Sequence, residues 1–196
     1  MALDAFSDVS DEALLVLYAN GDAGGARVLT VRHVPRILGY AARLLGDRAE
    51  AEDVAQEAML RLWRVAPDWR QGEAKVTTWL YRVTTNLCTD RLRMRQRRKT
   101  SALDDEPGIE DGAPAAETVL IEVDRMVALD AAFAALPDRQ REAVVLRHIE
   151  GLTNPEIAAV MDIGVEAVES LIARGKRALS AILAGRRKDL GYDEGI

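Results

Sequence analysis

A single cysteine, Cys88, rules out an internal disulfide and any zinc site built from clustered thiolates. Only two histidines are present, His33 and His148, and neither has neighbours at metal-ligand spacing, so no metal and no cofactor is expected. Aromatic residues make up 5% of the chain, and no sustained period-two alternation of apolar and polar residues occurs, so β-strands are not expected. No apolar run approaches the length of a membrane span, and the amino terminus, MALDAFSDVSDEALL, is acidic where a signal peptide would be basic. No phosphate-binding loop, metal cluster or nucleophile–base pair stands out, and no catalysis is expected. These absences point to a cytoplasmic protein with no membrane insertion. What remains is 196 residues, 48% of them hydrophobic, with a mean hydropathy of -0.09. That is enough apolar material for real cores, in one domain or two small ones.

The net charge of -6 conceals a segregation. Arg91, Arg93, Arg95, Arg97, Arg98 and Lys99 fall in nine residues without an acid. From Asp104 to Asp124 the acids Asp104, Asp105, Glu106, Glu110, Asp111, Glu117, Glu122 and Asp124 occur without a base. Within 101–117, these acids mix with Pro107, Pro114, Gly108, Gly112 and small residues, which cannot bury enough apolar surface to offset the entropy of ordering. A structureless loop of that length inside one compact domain is uncommon. The expected organisation is a first domain over 1–100, a flexible acidic linker over 101–125, a second domain over 126–188 and a tail over 189–196.

The fold class is all-α. Helices are expected over 11–20, 23–45, 47–66, 75–98, 119–135, 137–150, 154–161 and 165–184. Gly21, Gly46 and Gly151 stand at helix ends, and Asp47 with Glu50 fits a capping box. The second helix should bury Val28, Val31, Leu38, Ala41 and Leu45, and the third Val54, Ala55, Ala58, Leu62 and Val65. Along the fourth, Val76, Leu80, Val83 and Leu87 form the inward stripe, and Cys88 reads as a small core residue. Thr153 and Glu156 form a second capping box, Pro155 fits the first turn, and Leu152 can staple to Ile157. A helix of about two turns, a turn at Asp162-Ile163-Gly164 and a longer helix from Val165 follow. Ile157, Ala158, Ile163 and Val168 lie where the two helices must touch, which is the helix-turn-helix plan.

Two stripes are not explained by a core. Asp53, Gln56, Glu57, Leu60 and Arg64 recur at three- and four-residue spacing, and an apolar Leu60 among charges suits a protein-binding surface. Trp79, Arg82, Asn86, Arg93 and Arg97 line another flank. Cations with an aromatic and an amide suit phosphates and unstacked bases.

The segments ARLLGDRAEAEDVAQEAMLRLWR, TTWLYRVTTNLCTDRLRMRQRR and LPDRQREAVVLR…EGLTNPEIAAVM, in this order, resemble the bacterial sigma-70 family. They are most similar to its minimal extracytoplasmic-function (ECF) type, which keeps only domains two and four. The resemblance spans about 11–98 and 126–184. It implies a non-enzymatic initiation factor that binds core RNA polymerase and directs promoter recognition, melting and transcription initiation. It implies that Asp53, Gln56, Glu57 and Leu60 dock on the clamp helices of the largest polymerase subunit, and that the second domain contacts the flap. It assigns Trp69, Arg70, Gln71, Lys75, Trp79, Arg82, Asn86, Arg93 and Arg97 to −10 DNA. To −35 DNA it assigns Glu166, Glu169, Ser170, Arg174, Lys176 and Arg177. An anti-sigma factor is a further implied partner. Glu169 stands where a base is common in the family, and a glutamate there can accept from cytosine N4. This acidic start also fits a sigma mimic that titrates an anti-sigma protein, against which the intact basic run argues. A helix-turn-helix regulator is another alternative, which leaves the Asp53/Glu57 stripe unexplained.

Overall fold

The computed structural model describes residue 6 and residues 8–70, 72, 74–101 and 129–187. The acidic stretch, the tail and Gln71 lie outside the described residues. Every regular element among those described is helical: α1 (Asp11–Ala19), α2 (Ala23–Leu45), α3 (Arg48–Val65), a 3-10 turn (Ala66–Asp68), α4 (Val76–Ser101), α5 (described over 129–134), α6 (Asp138–His148), α7 (Asn154–Met161) and α8 (Val165–Arg187).

Local chemistry sets the ends. Ser10, Asp22 and Asp47 each accept a backbone N–H at the start of α1, α2 and α3. Gly46 closes α2 in the left-handed region, at φ 66°. Of the box expected at Asp47, the Asp47 half forms, while the Glu50 carboxylate takes Arg95 as its partner. At α7 both the N–H and the hydroxyl of Thr153 donate to Glu156 Oε2, at 2.9 and 2.7 Å, and Pro155 lies in the first turn. The turn into α8 is made by Asp162 in the left-handed region (φ 54°), and Gly164 does not supply that conformation. Asp tolerates it better than most side-chain-bearing residues.

Helices α1–α4 form a bundle around Leu14, Leu15, Leu29, Ile37, Ala58, Leu62, Val76 and Leu80. The third-helix stripe is buried as expected through Val54, Ala55, Ala58 and Leu62, with Val65 half-buried. On α2 the expectation for Val31 fails: it is 58% exposed. The inward stripe runs instead through Leu29, His33, Ile37, Tyr40, Ala41 and Leu44, and at 3.6 residues per turn this places Val31 outside.

A second core crosses between the two halves of the chain. Tyr40, Leu44, Val54, Tyr81 and Cys88 from the first half pack with Phe133, Leu136, Val144, Leu146, Ile157, Met161 and Val168 from the second. The fourth helix is therefore buried on two sides. Val76 and Leu80 are buried and Val83 and Leu87 half-buried, and Tyr81, Thr84, Thr85 and Cys88 are also buried. Burial pushes the Cys88 thiol up to about 12, which keeps it a neutral packing group.

Candidate nucleic-acid and polymerase interfaces

On α3 the Asp53 and Gln56 side chains are exposed, Glu57 is half-buried and Leu60 is 42% exposed. Glu57 accepts from Arg61 at 2.8 Å, and that hydrogen bond holds its carboxyl below the usual range. Asp53 lies 3.6 Å from Arg91 of α4. Gln56 and Leu60 border an apolar groove of about 380 Å³ with Val34, Leu38, Met59 and Trp63. Leu60 therefore belongs to a continuous apolar surface between α2 and α3, flanked by the carboxylates of Asp53 and Glu57.

The basic run divides by helical phase. Arg91 donates to Glu50 O (3.0 Å), and Arg95 donates to Leu45 O (2.8 Å) and pairs with Glu50 and Asp47. These two hold α4 to the ends of α2 and α3. Arg93 and Arg97 point to the exposed side, with Arg93 only 3.8 Å from Asp90. Asn86 is exposed on the same helix. Trp79 is half-buried and meets Trp69 edge to face, ring centroids 5.9 Å apart. Trp69 Nε1 is buried without a hydrogen-bond partner. Arg70 is exposed.

The structure thus brings Trp69, Trp79, Arg82, Asn86, Arg93 and Arg97 onto or beside one helix, with Lys75 just before it. Two of the cations are already engaged by the helix-turn-helix. Lys75 Nζ lies 2.8 Å from Glu156 Oε1, and Arg82 lies 3.9 Å from Asp162. The hydrogen bonds from Lys75 and Thr153 bring Glu156 down to about 2.

Behind this contact lies a buried polar node that the sequence reading missed. Tyr81 Oη donates to Glu150 Oε2, Arg36 donates to Glu150 O at 2.9 Å, and the Arg36 guanidinium stands 5.9 Å from the Tyr81 ring centroid. Burial, with the Glu150 bond, pushes the Tyr81 phenol well above its usual range. A signal for it was available: Glu150 follows the end of α6, where the helix dipole disfavours an anion. Arg141 was also missed. Its guanidinium donates to Phe133 O, Ala134 O and Leu136 O behind α5 and to Leu44 O at the end of α2.

On α8, Glu166, Glu169, Ser170, Arg174, Lys176 and Arg177 are all exposed. Glu169, Lys176 and Arg177 share a shallow groove of about 530 Å³ with Arg147, His148 and Asn154. Asn154 Nδ2 donates to Glu169 Oε1 at 3.4 Å, so the glutamate is tethered across the two helices. Burial, helped by the charges of Lys176 and Arg147, holds His148 below its ordinary value. Leu171, on α8, packs against the core. Among the described residues no group of three or more His, Cys, Asp or Glu side chains could hold a metal ion, and no helix is long and apolar enough to cross a membrane.

The family profiles of Sigma-70 region 2 and Sigma-70 region 4 match residues 29–98 and 126–179. RNA polymerase sigma-H factor of Pseudomonas aeruginosa is 32% identical, across 88% of this chain and 93% of that protein. ECF RNA polymerase sigma factor SigW of Bacillus subtilis is 37% identical, across 70% of this chain and 77% of its own length. The chain belongs to the sigma-70 family, in its ECF branch. ECF sigma factor SigE of Mycolicibacterium smegmatis is 36% identical over 80% of this chain, which spans 60% of that longer protein. Among solved structures, CnrH in complex with the cytosolic domain of CnrY has a TM-score of 0.65 at 27% identity, covering 89% of this chain and 97% of that one. The sigma factor RpoE of Bartonella quintana, solved with the anti-sigma factor NepR, shares the fold (TM-score 0.64, 19% identity, 81% of this chain and 96% of that one). Helices α2–α4 are thus region 2, and α5–α8 carry region 4.

Proposed function

We propose that this ECF sigma factor binds core RNA polymerase in the cytoplasm and directs it to a defined set of promoters, with no catalysis of its own. The observation that carries the reading is the ordered pair of region 2 and region 4 in one chain. The division of labour follows the surfaces. The apolar groove beside Leu60, with Asp53, Gln56 and Glu57, fits docking on the polymerase clamp helices, where an apolar contact rimmed by charge gives both affinity and register. The α4 flank fits the melted non-template −10 strand, with Trp69 and Trp79 as stacking surfaces and Lys75, Arg82, Arg93 and Arg97 as phosphate partners. Helix α8 fits duplex −35 DNA, with Glu169 and Ser170 towards base edges and Arg174, Lys176 and Arg177 towards the backbone. An anti-sigma factor is the regulatory partner, and the polymerase flap the second contact of region 4.

Run-off transcription with purified core polymerase on a promoter library tests this. Discrete transcripts that depend on the added chain are expected. A chain that binds an anti-sigma protein but yields no transcript from any promoter would replace the reading with that of a titrating mimic.

A further inference from the structure

The groove of about 530 Å³ between the end of α6 and the middle of α8 gathers charge of one sign. Arg147 and His148 line it from the last turn of α6, and Lys176 and Arg177 line it from α8. All four side chains are exposed. Arg147 is set in place by its hydrogen bond to Leu152 O, at 3.0 Å. From α7 the groove receives the neutral Asn154, whose amide donates at 3.4 Å to Glu169, the one acid among the described lining residues. Three permanent cations and one titratable ring therefore stand together beside the α8 residues proposed for −35 DNA. In the free protein this setting opposes the imidazolium. Burial, with the charges of Lys176 and Arg147, holds His148 below its ordinary value, so the ring is neutral near pH 7. The end of α6 works the other way, since a helix C-terminus favours a cation. An anion seated among the cations would remove the charge part of the penalty.

We propose that His148 is a proton-linked contact of −35 duplex DNA: a backbone phosphate enters this groove, the imidazole takes up one proton from solvent, and the imidazolium holds the phosphate together with Arg147, Lys176 and Arg177. A phosphate is the anion that a groove beside a recognition helix meets, because backbone contacts flank the base edges that such a helix reads. Bound DNA raises the His148 value above that of the free chain. Affinity is therefore highest in acid, falls as pH rises through the bound-state value and is level above it. Arginine and lysine keep their charge throughout that range, so the other three cations give a pH-independent background. Glu142, which also titrates near neutrality, lines a cavity with Leu44 and Cys88 of region 2 and does not line this groove. The −35 reading of α8 is the part of the proposed function on which this rests.

The test uses the full chain, unaltered and as two variants: His148→Gln, which cannot gain charge, and His148→Arg, which always carries it. Anisotropy with a −35 duplex is measured at pH 6, 7 and 8 over a series of salt concentrations. The unaltered chain should bind about three- to tenfold more tightly at pH 6 than at pH 8, the weight of one phosphate contact at about 0.1 M salt. Its plot of log affinity against log salt should be steeper at pH 6, by about one unit or less. His148→Gln should bind alike at pH 6 and pH 8, with one salt slope. His148→Arg should keep the tight binding and the steeper slope at pH 8. A ring that merely packs at the helix end would move neither slope. The inference falls if His148→Gln keeps the pH dependence of the unaltered chain, or if His148→Arg binds no more tightly than the unaltered chain at pH 8. Lys176→Ala with Arg177→Ala tests the −35 reading separately. Duplex affinity unchanged by that pair would overturn the reading of α8 itself, whereas a loss there, with no pH dependence in the unaltered chain, would remove His148 alone.

Discussion

Neutralising Glu142 should make region 4 more stable at alkaline pH and remove a pH dependence that the rest of the chain does not share. Glu142, on α6, is 4% exposed. One carboxylate oxygen takes Arg139 at 3.2 Å, and the other, Oε1, is buried without a partner. Burial outweighs the pull of Arg139, and Asp138 adds to it, so the carboxyl is pushed from 4.5 up to about 7. Tyr40 and Cys88 of region 2 face it from the other side of the shared core, and neither supplies a positive charge. The native state therefore holds the proton more tightly than the unfolded chain. The contribution to stability is intact below about pH 4.5 and is lost as pH rises through about 7. At 1.36 kcal/mol per unit, the full swing is about 3 kcal/mol, an upper bound because the opened carboxylate is well solvated. At about 2–4 °C per kcal/mol for a chain of this size, that is roughly 6–12 °C in Tm. His148 acts with the opposite sign: its lowered value stabilises the protein above the ordinary histidine range and less so as pH falls, so the two slopes partly cancel in the parent. The measurement is Tm from pH 5 to 8 for the parent and Glu142→Gln. The difference between the two curves should grow with pH across that window and favour Gln at pH 8. Parallel curves would show that Glu142 ionises in the native state as it does in water, and the argument from burial would be wrong.

Gly175→Ala should lower the Tm of region 4 by an amount equivalent to about 1–3 kcal/mol, because a Cβ there would stand 2.5 Å from Val144 Cγ2 and 3.2 Å from Gln140 O. A melt unchanged within error would mean that α8 slides freely on α6. Asp53→Ala with Glu57→Ala should weaken pull-down of core polymerase and leave the melt nearly untouched, since exposed pairs contribute little to stability. Arg95→Ala should cost stability, because it leaves Leu45 O and Glu50 without their donor, whereas Arg97→Ala should cost none. Arg97→Ala should instead weaken −10 strand binding across sequences and flatten its salt dependence by about one unit or less. Glu169→Ala should relax preference at one −35 position by about 1–3 kcal/mol in promoter selection with holoenzyme, and an unchanged logo would remove it as a base reader.

Much of this molecule is written in local chemistry. Gly46, Asp47, Thr153 and Pro155 mark helix ends by rules that act within one turn, so α2 and α7 could be read to the residue. The helix-turn-helix and the exposed Asp53–Leu60 stripe could be read in the same way, because helical phase alone fixes which residues share a face. Phase also separates Arg93 and Arg97 from Arg91 and Arg95, but only the packed bundle shows that the second pair serves α2 and α3. Val31 failed because α2 is long enough for more than one apolar stripe, and the neighbours decide which one is buried. What no local rule contains is the meeting of the two halves. Tyr81 reads as one more aromatic on a helix, Glu150 as an acid before a glycine, and Glu142 as a solvated charge. Each becomes buried only when chain segments about 45–70 residues or more apart are brought together. Burial replaces water by protein around a charge, so its partners and its protonation are set by whatever is packed against it. The sequence by itself therefore determined the helices, most of their caps and the exposed faces that are proposed for polymerase and DNA. Only the tertiary structure decided which of those faces the chain covers with its own second half.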